Sequence, residues 1–379
     1  MGLNRKIILT VNSAWNLVTF RAGLIRALVA SGYDVVALAP SDRHVQRVRA
    51  LGCRFVSLPM ENAGTRPMRD LLLLFRYWML LRSERPAAVL GFTIKPNIYG
   101  SLAAASLGIP VINNIAGLGT TFLRPGWLNR TARLLYRVAL SRSTFVFFQN
   151  EDDLNLFVSS GLVRRDRAQR IPGSGVDTSY FAPTPSRARN GRPFRFLLLG
   201  RLLWDKGVGE YVEAARRLRT SGANAEALML GFVDAKNPSA ISGAQIDTWA
   251  REGVIKYLGE TDDVRPYLSD ADCVVLPSYR EGIPRALLEA ASMARPIITT
   301  DAPGCRDVVR HNVSGYAVSI KDVESLYWAM NSALELSEFD LAQMGMESRA
   351  LVVDQFQEKT VVAAYQSALE QLLGSASQS

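Results

Sequence analysis

Cysteine and histidine are scarce in this chain, and their scarcity removes whole classes of chemistry. Cys53, Cys273 and Cys305 are the only cysteines among 379 residues, and none stands in C-x-x-C spacing. That excludes a disulfide framework and a zinc site. Histidine occurs only at positions 44 and 311, so a histidine-rich catalytic centre is also excluded. No apolar run approaches the roughly 20 residues that span a bilayer. The first residues, MGLNRKIILT, lead directly into strand-like sequence without a long apolar leader, so a cytoplasmic protein is expected. The turn after that first strand lacks G-x-G-x-x-G, the dinucleotide fingerprint.

What is present is an ordinary globular balance, 48% hydrophobic and 21% charged, in a length that suits two domains. The net charge of +9 is unevenly spread. Residues 1–190 hold 25 Lys/Arg against 10 Asp/Glu, and residues 191–379 hold 19 against 25. A basic half joined to an acidic half points to an anionic partner for the first. On charge alone, nucleic acid, an anionic membrane and a pyrophosphate-linked lipid all qualify.

Strand and helix patterns alternate along both halves, which predicts parallel α/β sheets. The first half reads as strand 6–12, a turn at Ser13–Asn16, helix 18–30, strand 33–40, helix 42–51, strand 54–58, helix 68–82 and strand 87–92. Strand 144–148 and helix 151–160 follow. Pro183–Pro193, rich in Pro and Arg, is the expected linker. The predicted domains are 1–182, 194–347 and a final helix over 348–379 whose tail, GSASQS, is expected to fray. Helix 68–82 supports two readings. Its apolar residues pack on the sheet with its arginines solvated, or it lies in the headgroup region of an anionic membrane. Ligands of open parallel sheets bind at the carboxyl ends of strands. Asn16, Thr93, Lys95 and the loop Asn114–Gly119, with Gly117, are therefore candidates to line a cleft.

The second half carries the chemistry. Strand 194–199 runs into Gly200-Arg201-Leu202-Leu203-Trp204-Asp205-Lys206-Gly207, whose two cations five residues apart suit a diphosphate. Strand 273–277 then leads through a loop holding Glu281 and Gly282 into a helix expected from Pro284 to Met293. Proline suits a first turn, where its missing N–H costs nothing. Glu289 sits inside that helix among Leu287, Leu288, Ala290 and Ala291. A carboxylate there is costly without hydrogen-bond donors, and ligand hydroxyls would serve. Cys273 reads as a small buried hydrophobe.

Glu281-x7-Glu289 followed by Arg-Pro-Ile-Ile-Thr-Thr-Asp, together with G-R-x-x-x-x-K-G, resembles the donor site of family 4 retaining glycosyltransferases. The stretch Gly91–Phe122 is similar to the branch that extends undecaprenyl-diphosphate-linked sugars. The resemblance implies the GT-B fold, two facing Rossmann-like domains with an inter-domain cleft, and a final helix that returns to the first domain. It implies that Glu281 holds donor-sugar hydroxyls and Glu289 the ribose. Arg201 and Lys206 would hold the diphosphate, with Gly282, Ile283, Pro284, Arg285, Leu288 and Tyr257 around the nucleotide. The partners that the resemblance implies are a nucleotide-sugar donor carrying UDP, a lipid-linked saccharide acceptor and an anionic membrane surface on the inner face of the bacterial plasma membrane. Nucleic acid and a metal or other cofactor are not expected. Many members carry a histidine in the loop that here reads Ile115-Ala116-Gly117-Leu118; this chain departs from that pattern. Front-face attack, in which the leaving phosphate oxygen takes the acceptor proton, needs no such base. A nucleotide-sugar epimerase and a transferase acting on a soluble acceptor are the alternatives; the first is disfavoured by the two histidines lying outside the motifs.

Overall fold

The computed structural model describes residues 5–61, 66–118, 127–184, 191–234 and 237–375. It divides into two compact units, residues 1–174 with 358–379, and residues 175–357. Each is built on a sheet whose strands are all parallel.

The first unit contains β1 (Lys6–Thr10), α1 (Ala14–Phe20), α2 (Ala22–Ala30), β2 (Asp34–Ala39), α3 (Val45–Arg49), β3 (Arg54–Ser57), α4 (Pro67–Glu84) and β4 (Ala88–Phe92). A π-helical turn (Pro96–Gly100), α5 (Ser101–Ser106), β5 (Val111–Ile115), α6 (Trp127–Leu140), β6 (Phe145–Phe148), α7 (Glu151–Ser159) and β7 (Ala168–Arg170) follow. Strand order is β3-β2-β1-β4-β5-β6-β7. Successive strand residues point to opposite faces, and both faces are apolar because helices cover both. Ile7, Leu9, Val35 and Leu90 meet α2, while Ile8, Val36 and Val89 meet Leu73, Tyr77 and Leu81 of α4.

The second unit contains β8 (Phe194–Leu199), a 3-10 turn (Trp204–Lys206), α8 (Val208–Thr220), β9 (Ala225–Leu230), α9 (Gly243–Arg251), β10 (Lys256–Tyr257), α10 (Arg265–Asp270), β11 (Cys273–Leu276), α11 (Arg285–Ser292) and β12 (Ile297–Thr300). β13 (Gly315–Val318), α12 (Val323–Glu335) and α13 (Glu338–Gln355) complete it, in strand order β10-β9-β8-β11-β12-β13. Cys273 is fully buried in this core. The chain ends in α14 (Glu358–Ser375), which packs in the first unit, where Tyr365 meets Phe92 and Phe147.

Four differences from the sequence reading have local causes. The helix expected over 18–30 is two helices that meet at Arg21, and the first begins at Ala14 because Ser13 caps it through the Asn16 N–H at 3.2 Å. The helix expected over 348–379 is likewise two, α13 and α14, with Phe356 between them turned into the core of the second unit. The unit boundary falls at 174/175 rather than at the expected linker. Val176 and Phe181 pack with Leu287, Leu288 and Leu351, and Ser292 Oγ donates to the Phe181 carbonyl at 2.7 Å. Helix α6 had no counterpart in the sequence reading. Of the expected linker, residues 185–190 lie outside the described residues, as do loop residue Gly119 and tail residues 376–379.

Candidate functional site

In the second sheet, β8, β9 and β10 step one way, whereas β11, β12 and β13 step the other. The reversal lies between β8 and β11, and the loops leaving their carboxyl ends stand where open parallel sheets form their ligand crevice. Those loops carry Gly200–Gly207 and Pro277–Pro284. They are stitched together: Tyr279 N–H donates to the Asp205 carbonyl at 3.0 Å, and Tyr279 Oη donates to Glu210 on α8 at 2.6 Å. Gly207 has φ 70°, and a Cβ there would stand 2.1 Å from the Pro277 carbonyl oxygen. Only glycine permits that approach. The result is an ion pair between Lys206 Nζ and Glu281 Oε1, both largely buried. The loop after β12 supports it from the far side, with Glu281 N–H donating to the Pro303 carbonyl at 3.1 Å.

Four residues beyond Glu281, α11 begins, and Glu289 lies one turn along it. Glu289 is 9% exposed. Burial raises its pKa above the ordinary carboxylate range, with Arg285 opposing the shift. Arg285 Nε donates to Glu289 Oε1 at 2.8 Å. A cation in the first turn of a helix opposes the helix dipole, so the Glu289 contact offsets an unfavourable placement. Pro284 stands at the N-cap, one position earlier than the first turn expected of it. Gly282 and Ile283 lie in the crevice loop, Ile283 packed inward. Leu288, expected beside the nucleotide, is instead fully buried in the core with Leu287, because α11 turns that face to the sheet.

Two further candidates stand beside the crevice, Arg201 on the loop after β8 and Tyr257 on β10. Arg201, half-exposed, reaches Asp234 at 3.6 Å, a loose pair that leaves the guanidinium accessible. Tyr257 donates its hydroxyl to the Gly231 carbonyl at 2.9 Å, which fixes its ring against the loop after β9.

The first unit has its own reversal, between β1 and β4. The loop after β1 leads to Asn16, and the loop after β4 holds Thr93 and Lys95. Thr93 has φ 66°, a conformation that a β-branched residue rarely adopts. Its Oγ1 and the Oδ1 of Asn16 are buried with no hydrogen-bond partner among the described residues. Strain and unmet polar atoms at a sheet reversal are marks of a binding site. Lys95, expected to line a cleft, is bound to Asp70 at 2.7 Å, with both side chains mostly buried. Asn114, expected on a loop, lies in β5 and is fully buried. Its side chain donates to Tyr365 Oη at 2.9 Å and accepts from Gln149 at 3.3 Å, which makes it part of an internal network. Gly117, partly exposed with φ 119°, remains on the loop beyond β5.

Sequence reasoning overlooked Tyr279, although its place two residues before Glu281 was a usable signal. It also overlooked Asp270-Ala271-Asp272, which has the D-x-D spacing found where carboxylates hold a metal. Here Asp270 binds Arg195 at 2.5 Å and Asp272 binds Arg192 at 2.6 Å, at the amino end of β11, away from the crevice. Among the described residues no cluster of three His, Cys, Asp or Glu could hold a metal ion.

A family model described as "Glycosyl transferase 4-like domain" matches residues 18–173, and one described as "Glycosyl transferases group 1" matches residues 193–336. The chain is 26% identical over 331 residues to N,N'-diacetylbacillosaminyl-diphospho-undecaprenol alpha-1,3-N-acetylgalactosaminyltransferase of Campylobacter jejuni, covering 83% of this chain and 86% of that protein. It is 25% identical to UDP-Gal:alpha-D-GlcNAc-diphosphoundecaprenol alpha-1,3-galactosyltransferase of Escherichia coli, covering 73% and 72%. Among solved structures, Anabaena Alr3699/HepE in complex with UDP superposes with TM-score 0.76 at 17% identity, over 97% of this chain and 100% of that one.

Proposed function

The chain belongs to the group 1 glycosyl transferases of the GT-B fold, and from that premise we propose that it is a retaining enzyme. It moves a sugar from a nucleoside-diphosphate donor, most simply a UDP-sugar, to a polyprenyl-diphosphate-linked saccharide in bacterial polysaccharide or glycan assembly. The observation that carries this reading is the Lys206–Glu281 pair at the β8/β11 reversal, where a cation for phosphate and a carboxylate for sugar hydroxyls are held side by side.

Breaking the anomeric C–O bond leaves negative charge on the donor's β-phosphate. Lys206 and Arg201 stabilise that charge, and the amino end of α11 adds its dipole. Glu281 gives up its contact with Lys206 to accept hydrogen bonds from the sugar. Glu289, already costly as a buried charge, gains donors when the ribose hydroxyls arrive. The leaving oxygen takes the acceptor proton, so no protein base is required, in keeping with the loop Ile115–Leu118 that has no histidine. No metal is needed on this account, because cations already face the diphosphate. Asn16 and Thr93 of the first unit offer two unmet polar atoms to the acceptor. The acceptor's lipid places the enzyme at a membrane surface, and no helix among the described residues is long and apolar enough to cross one.

The deciding experiment supplies a panel of UDP-sugars with lipid-linked saccharide acceptors and follows the mass of the acceptor. Elongation by one sugar with wild-type protein, lost in Lys206→Ala, supports the reading. Elongation that proceeds equally well in the variant would sink it.

A further inference from the structure

Helix α4 carries two apolar stripes, and only one of them is packed against other described residues. Leu73, Tyr77 and Leu81 face the sheet and are buried. On the opposite side Met68, Leu71, Leu72, Phe75 and Met79 fall at i, i+3, i+4, i+7 and i+11, one continuous stripe on a helix, and they are 46–79% exposed. Phe75 stacks on Trp78 with ring centroids 6.4 Å apart, and Arg82 lies over the Trp78 ring at 5.1 Å. Scattered exposed apolar residues are ordinary, but a contiguous stripe that includes stacked aromatics is an interaction surface.

A second helix extends it. α4 and α6 both pack against α5 and the Pro96–Gly100 turn, so they lie in one layer on the same face of the sheet. α6 exposes Leu134 and Val138 with Arg130 and Arg137 on the same side. The charge around the stripe is predominantly basic, with Glu61 paired to Arg66 and Arg69 at the start of α4. From Arg85 to Arg142 there are seven Lys/Arg (Arg85, Lys95, Arg124, Arg130, Arg133, Arg137, Arg142) and no Asp or Glu. The acids of α4 itself are engaged, Asp70 by Lys95, and Glu84 by Lys6 and Arg54.

The geometry points to the outer faces of α4 and α6 as a docking surface for an anionic lipid bilayer, with the apolar stripe entering the acyl boundary and the arginines meeting headgroup phosphates. An apolar stripe ringed by arginine fits that partner, because guanidinium pairs with phosphate in a fork and its stem covers apolar surface. A partner protein would have to bring its own acidic rim. The inference rests on the proposed function for its biological setting, since a lipid-linked acceptor is presented at a bilayer, but its test needs neither donor nor acceptor.

The test floats the full-length protein with vesicles of phosphatidylglycerol and phosphatidylcholine, or of phosphatidylcholine alone, across a range of salt. Wild-type protein is expected to float with anionic vesicles and not with neutral ones, and to be released as salt rises. The double variant Leu71→Asp/Phe75→Asp is expected to bind at least about tenfold more weakly, as is Arg76→Glu/Arg130→Glu. Trp328→Asp, which alters an exposed residue of the second unit, should float like wild type. Unchanged thermal melts establish that the variants fold. Flotation of Leu71→Asp/Phe75→Asp equal to wild type overturns the proposal, and so does wild-type protein that ignores anionic vesicles. A concentration-dependent dimer in sedimentation, abolished by the same variant without vesicle binding, would instead assign the surface to a second copy. Transfer to a detergent-solubilised acceptor is measured in parallel. Flotation without transfer counts against the proposed function alone, and transfer without flotation counts against the bilayer surface alone.

Discussion

Lys206 and Glu281, 75 residues apart in sequence, meet in an ion pair between the loops that leave β8 and β11. Neither loop would bring its charge there alone. Gly207 lets the first loop close against the Pro277 carbonyl, and Tyr279 ties the second to Asp205. Each charge is the other's ion-pair partner. On the proposed function, a diphosphate-linked sugar takes the place of each.

Removing either charge should therefore affect turnover far more than folding. Lys206→Ala is expected to lower kcat/KM for the nucleotide sugar by about 100- to 1,000-fold, the usual effect of deleting one transition-state contact. Glu281→Gln is expected to lower it through sugar binding, with a melting temperature close to that of wild type. Steady-state rates and thermal melts on both variants check this. A Lys206→Ala protein with normal rates would remove the phosphate role.

Glu289 predicts a pH dependence of known sign. Its pKa in the folded protein is raised, mainly by burial. The folded state therefore holds the proton to higher pH than the unfolded chain does. The stability that protonation lends is full below the unfolded value near 4.5 and is lost as pH rises through the raised folded value. Relative to Glu289→Gln, wild-type protein should lose stability as pH climbs through that window. Denaturant titrations at several pH values measure it, and a difference that stays constant or moves the other way contradicts the assignment.

Two glycines of nearly equal φ separate strain from collision. Gly108 has φ 67° and open space around a would-be Cβ, whereas Gly207 has φ 70° and a carbonyl 2.1 Å away. Gly108→Ala should cost about 1–2 kcal/mol, the left-handed penalty alone. Gly207→Ala should cost clearly more and should also depress activity, because the loop must shift with Lys206 on it. Equal losses of stability for the two variants would show that the β8 loop adapts freely.

Thr93 offers the opposite trade. Thr93→Gly relieves a left-handed β-branched residue and is expected to stabilise the protein by about 1 kcal/mol. If Thr93 Oγ1 meets the acceptor, the same change raises KM for the acceptor and leaves binding of the nucleotide sugar unaltered. A variant that is neither more stable nor weaker for acceptor would assign Thr93 no special role.

Much of this was legible in the chain before any coordinates. Runs such as KIILT, CVVL and IITT read as buried parallel strands because they are apolar on both alternating faces. The cation pair and the spaced glutamates pointed to the loops that the structure brings together at the β8/β11 reversal, and Glu289 stood out as a carboxylate among alanines and leucines. What misled was local information that looked sufficient. Lys95 read as a cleft-lining residue because Asp70, its partner, lies 25 residues away on another helix. Asn114 read as a loop residue because polar side chains are rare in strands, and its partner Tyr365 is 251 residues distant.

The sequence alone determined the alternation of strand and helix, the two-part charge, and which residue types were on hand for a phosphate and a sugar, since these follow from composition and short-range spacing. Tertiary structure decided which of those charges pair with one another and which are absorbed into the core, and it showed that the second apolar stripe of α4 is exposed among the described residues. Such outcomes depend on contacts between segments far apart in the chain, and no local pattern encodes them.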